Sequence, residues 1–186
     1  SSVPAVQRGG ASESRKFQPV LSGLLLGQPD QYRNTAHFPR GRCCRARKSQ
    51  AFVRNFGSSF ENLFFYGDTG VGKTFLSHCI ARELIEQSFC VIYFTAFDLF
   101  DRLAQTAFSR KSETDPGDDF ILDCDLLIID DLGTELTNSF VSSQLFLCIN
   151  ERISRRKSTI ISTNLKLEDF SATYSERTFS RIASNY

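Results

Sequence analysis

Methionine and tryptophan are absent from this 186-residue chain, and histidine occurs only at His37 and His78. None of its six cysteines (Cys43, Cys44, Cys79, Cys90, Cys124, Cys148) forms a CxxC pair, and neither histidine sits in a cysteine cluster. The spacing of a zinc site is therefore lacking, and Cys79, Cys90 and Cys148 are expected to be small core residues. No apolar run approaches the roughly 20 residues that span a bilayer. The start shows no basic segment leading into an apolar stretch, so the pattern of a secretory signal is missing. A cytoplasmic location with no membrane contact is the expectation. A chain that begins at Ser1 without methionine also reads as a piece of a longer product.

What is present is ordinary for a globular protein: 41% hydrophobic and 23% charged residues, in a length that supports one domain with a proper core. The net charge of +1 conceals an asymmetry. Residues 1–56 carry ten Lys/Arg against two Asp/Glu, and residues 57–186 carry twelve against nineteen. The expected division is a basic segment over 1–48, outside the fold, and a globular core over 49–186. Such an arm is either a nucleic-acid contact or a solvated tail. Its one apolar cluster, Val20 to Leu26, is short and interrupted by glycine.

From Asn62 onward, strand and helix patterns alternate, which predicts a parallel sheet covered on both faces. The strands are read at Leu63–Tyr66, Cys90–Thr95, Leu126–Ile129 and Thr159–Ser162. Leu76, Ile80 and Leu84 recur at helical spacing over 73–87, as do Val141, Leu145, Ile149 and Ile153 further on. Helices are also expected over 96–108 and 175–183, with Thr137 or Asn138 capping the one that carries Val141. Lys111 to Asp119 reads as a polar loop.

The first strand runs into Gly67-Asp68-Thr69-Gly70-Val71-Gly72-Lys73-Thr74, which fits G-x-x-x-x-G-K-[ST]. Glycines at these positions let successive backbone N–H groups point at one anion. The helix that starts there adds the positive end of its dipole. Lys73 is placed for the β- and γ-phosphates of ATP, and the Thr74 hydroxyl for Mg²⁺. The third strand ends in Asp130-Asp131. Asp130 is a candidate for the magnesium shell, and Asp131 for orienting or deprotonating the attacking water. Glu135 is a weaker candidate for the same task. In a parallel sheet the end of the fourth strand, Thr163-Asn164, falls beside Asp130; Asn164 could bond the γ-phosphate or the water. Arg177 and Arg181, four apart, share one helix face. They could stabilise the charge of phosphoryl transfer across a subunit interface.

GDTGVGKT, LLIIDD, STIISTN and SERTFSRI, in this order and spacing, resemble the AAA+ ATPases of the bacterial helicase-loader type (DnaC and DnaI), with the IstB-like transposition ATPases as close relatives. The likeness runs from about Phe52 to the end of the chain, and Asn150-Glu151-Arg152 shares in it. It implies a P-loop NTPase (AAA+) fold, α/β, whose last strand and sensor 2 region would follow Tyr186. It also implies ATP and Mg²⁺ as ligands, Asn164 as sensor 1 and Arg181 as an arginine finger with Arg177 its companion. Asp131 stands where relatives often have Glu, so hydrolysis is expected to be slow. The implied partners are a replicative hexameric helicase, or a transposase for the IstB-like relatives, together with single-stranded DNA and further copies of the chain. A small-molecule kinase fits less well, since no Arg-rich lid is visible; a non-catalytic nucleotide switch stays open.

Overall fold

A computed structural model describes residues 44–108 and 119–186. Among these, four strands and seven helices follow one another: α1 (Cys44–Asn55), β1 (Leu63–Tyr66), α2 (Lys73–Glu86), β2 (Val91–Thr95), α3 (Ala96–Phe108), α4 (Asp119–Asp123), β3 (Leu126–Leu132), α5 (Ser139–Ser154), β4 (Ser158–Thr163), α6 (Leu167–Tyr174) and α7 (Glu176–Asn185). The strands form one sheet in the order β1-β4-β3-β2, and every pair is parallel.

Both faces of this sheet are buried, which is why its strands read as continuous apolar runs. Alternate residues nevertheless go to different cores. Ile92, Phe94, Leu127, Ile129 and Ile161 pack with α3, α5, α6 and α7. Val91, Tyr93, Leu126, Ile128 and Ile160 pack with α1 and α2. Each of these large apolar side chains contributes about 2 kcal/mol by leaving water. Cys79, Cys124 and Cys148 are buried and Cys90 half-buried, all as free thiols. Burial pushes the Cys124 thiol up to about 12.

Three helices escaped the pattern reading. In α1 the buried face is only Ala46, Ser49, Phe52 and Val53, diluted by Arg47, Lys48 and Arg54. In α6 just Phe170 and Tyr174 are buried, and α4 is five residues long. The boundary expected at 48/49 falls inside α1, whose Ala46 is already 2% exposed. The apolar cluster at 20–26, with the rest of 1–43, and the polar stretch at 111–118 lie outside the described residues.

β3 also runs further than its apolar letters. Ile129 pairs with Ile161, but Leu132 pairs with Thr163. Three steps on β3 thus match two on β4, leaving one extra residue, a bulge at Asp130-Asp131. Asp131 has φ 55 there, in the left-handed region, which costs a non-glycine residue about 1–3 kcal/mol.

Candidate functional site

All four strands point their C-terminal ends the same way, and Gly67–Thr74, Asp130, Asp131 and Asn164 lie at that end. Gly67–Thr74 links β1 to α2. Gly70 and Gly72 hold φ 82 and 90, and a Cβ on either would meet nothing within 4 Å, so their backbone lines open space. Gly72 sits as the N-cap of α2 without any side-chain cap, which leaves the first N–H groups of the helix pointing outward for an anion.

Lys73 does not extend into solvent. It is 8% exposed, and its Nζ donates to Gly67 O at 2.8 Å, Asp68 O at 3.0 Å and Asn164 Oδ1 at 2.6 Å. The last bond ties the loop after β1 to the end of β4, 91 residues along the chain. β4 lies between β1 and β3, so Lys73, Asn164 and the Asp130-Asp131 bulge share one end of three adjacent strands.

Asp130 is 2% exposed. Its two carboxylate oxygens accept hydrogen bonds from different hydroxyls, Ser162 Oγ on β4 and Tyr93 OH on β2. Ser162 Oγ also accepts from the Asp131 backbone N–H at 3.1 Å. It thereby replaces the backbone partner that the bulge removes. The charge of Asp130, with burial the larger cause, keeps the Tyr93 phenol protonated far above its ordinary range. The His78 ring stacks on Tyr93, centroids 4.9 Å apart. Burial lowers the His78 pKa, against the opposing pull of Asp130. Thr74 lies one turn before His78 on the same face of α2. Burial, then the Asp130 charge, raises the Asp131 carboxyl above the usual range, and Lys73 offsets part of that.

Both carboxylate oxygens of Glu135 are engaged within the chain. One oxygen accepts from Gly133 N–H at 2.9 Å and the other from the Tyr174 hydroxyl; it fastens the loop after β3 to α6. Arg177 and Arg181 are exposed on α7. The Arg177 guanidinium lies 5.1 Å from the Phe146 ring centre, so it is engaged within its own chain. Tyr93 and Ser162 went unread in the sequence. Their one signal was a hydroxyl within an apolar strand, on the face shared with Ile128 and Ile160.

The open glycine backbone, the uncapped helix start and a buried ammonium suit a chain of phosphates. Thr74 and Asp130 supply hard oxygen donors of the kind Mg²⁺ takes. Nucleotide and metal therefore both fit the residues present.

The sequence matches the family described as "IstB-like ATP binding protein" over residues 32–182. The chain belongs to that family. Among curated proteins, the replicative helicase loader DnaC of Escherichia coli (strain K12) is 23% identical over 135 residues, 73% of this chain and 55% of that protein. The chromosomal replication initiator protein DnaA of Herminiimonas arsenicoxydans is 29% identical over 177 residues, 87% of this chain and 38% of that protein. The chain thus spans about half the length, or less, of these curated relatives. A crystal structure of the DnaC helicase loader superposes with TM-score 0.72 at 25% identity, over 84% of this chain and 96% of that one. A replication initiator DnaA bound to AMPPCP and single-stranded DNA superposes with TM-score 0.66 at 23% identity, over 83% of this chain and 47% of that one. The P-loop AAA+ fold expected from the motifs is the fold observed, and the family is ATP-binding. No helix among the described residues is long and apolar enough to cross a membrane.

Proposed function

We propose that this chain is the ATP-hydrolysing core of a helicase loader that places a replicative hexameric helicase on single-stranded DNA. One observation carries the ATPase part: Lys73 is held against the phosphate loop and Asn164, beside a bulge that presents Asp130 and Asp131. The likeness to DnaC supports the loader role.

The proposed steps belong to this chain's own groups. Backbone N–H groups of 67–73 receive the phosphates of ATP. Lys73 exchanges the carbonyls of Gly67 and Asp68 for phosphate oxygens, a short movement of an ammonium already desolvated. Thr74 and Asp130 would hold Mg²⁺, which when bound neutralises phosphate charge. Asp131, made more basic by burial, orients the attacking water and takes its proton. Asn164, released by Lys73, turns its amide toward the γ-phosphate or the water. Arg181, with Arg177 beside it, completes the charge stabilisation at the site of an adjacent copy.

The test is ATP turnover with and without single-stranded DNA. Lys73→Ala should weaken nucleotide binding roughly 100-fold. Asn164→Ala and Arg181→Ala should keep binding and lose turnover, with Arg181→Ala rescued by mixing with a chain that is intact there but lacks Asp131. Wild-type turnover in Arg181→Ala would remove the finger. The family match favours a second reading, an IstB-like ATPase that assists a transposase; stimulation by duplex rather than single-stranded DNA would select it.

A further inference from the structure

We infer that Tyr93 and Ser162 are positioning residues that clamp the metal-holding carboxylate, and that Ser162 alone couples it to Asp131. This rests on the proposed assignment of Asp130 to Mg²⁺.

An ionised carboxylate offers about four lone-pair sites. In this chain Asp130 uses one oxygen for Ser162 and the other for Tyr93, so neither rotation about its terminal bond nor a change of rotamer is free. The two donors come from the strands on either side of β3, β4 and β2. The remaining lone pairs are those left to a metal ion. Tyr93 is itself held flat by the His78 ring, which comes from the same helix face as Thr74. Helix, hydroxyl and carboxylate thus form one packed stack.

Ser162 has a second duty. Its oxygen accepts the Asp131 N–H at 3.1 Å while its hydrogen goes to Asp130. The positive φ of Asp131 is therefore secured by the same atom that orients the metal carboxylate. The Tyr93 hydroxyl donates to Asp130 and not to Asp131. The two hydroxyls are alike in position but unequal in consequence.

Outer-shell partners of metal ligands typically alter metal affinity by about 10–100-fold when removed. The experiment measures the affinity of a fluorescent ATP analogue across a Mg²⁺ titration, and ATP turnover across the same titration, on the full chain. Tyr93→Phe and Ser162→Ala should each shift the Mg²⁺ midpoint of binding upward by about ten-fold, leaving affinity in EDTA unchanged. Excess Mg²⁺ should restore turnover in Tyr93→Phe but not in Ser162→Ala. Ser162→Thr, which keeps the hydroxyl, should recover both. Unchanged Mg²⁺ midpoints in Tyr93→Phe and in a folded Ser162→Ala would overturn the clamp. Full recovery of Ser162→Ala by Mg²⁺ would overturn the coupling. If the wild-type chain binds the analogue with no response to Mg²⁺, the assignment of Asp130 fails first and this inference with it.

Discussion

Lys73 and Arg152 are both buried cations with no carboxylate within ion-pair distance among the described residues, and they sit at opposite ends of the sheet. Arg152 is fully buried. It donates to Thr159 Oγ1, to the carbonyls of Ile121, Leu122, Cys124 and Ser158, and to Cys124 Sγ, at 2.6 to 3.3 Å. Those acceptors lie on α4, its exit and the start of β4. Asn62 works beside it: its Oδ1 accepts from Thr159 N–H at 2.7 Å, and its Nδ2 donates to Asn185 O at 3.1 Å. Asp125 accepts from Cys90 N–H and pairs with Lys157. Every one of these partners belongs to the chain itself. Among the described residues Lys73 has three acceptors, two of them carbonyls of a glycine-rich loop bordering open backbone. A buried charge saturated by rigid partners holds structure; one held by replaceable partners is poised for a ligand.

The largest test of this contrast is Arg152→Leu. Four carbonyls would lose a charged donor in a dry site, a loss of about 4 kcal/mol or more. For this chain length that lowers Tm by on the order of 10 °C. A thermal shift under about 3 °C would break the contrast from the structural side. Next comes Lys73→Ala, which should weaken nucleotide binding roughly 100-fold, equivalent to about 2.7 kcal/mol, while Tm stays within about 3 °C of wild type. If Lys73→Ala instead melted as early as Arg152→Leu, the lysine would be structural too.

A smaller effect is expected from Gly133→Ala, just past the bulge. Gly133 has φ 104, and a Cβ would lie 2.7 Å from Leu165 Cδ1. Strain of about 1–3 kcal/mol follows, read as a lower urea midpoint. Its turnover should fall further than its stability, because the displaced loop follows directly on the Asp130-Asp131 bulge. Equal losses would mean that the ligand end is no more sensitive than any other turn. The smallest is Asn138→Ala. Asn138 caps α5 by accepting from Val141 N–H at 2.9 Å, so its removal costs about 1 kcal/mol. Nucleotide affinity should not move, since the cap touches neither cation.

Much of the ligand end was legible before any coordinates. The strand before the loop with its glycines and Lys73, and the apolar run into Asp130-Asp131, are local patterns, each contained within about a dozen consecutive residues. Asn164 was placed correctly because parallel strand ends align. The misreadings share a cause. Glu135 looked available for water because Tyr174, 39 residues away, could not be seen. Arg152 passed as part of a family stretch, although its acceptors come from about 30 residues upstream as well as from the next strand. The helix α1 was hidden by arginines and lysines on its wet face.

Residue order alone determined that this chain makes a glycine-rich turn between a strand and a helix, because φ-permissive glycines and a helix start impose that shape over eight consecutive positions. Which strands became neighbours, where β3 bulged, and which hydroxyls met Asp130 were decided only when the sheet assembled. Those features rest on hydrogen bonds and side-chain packing between segments far apart in the chain, and such pairings leave no local periodicity to read.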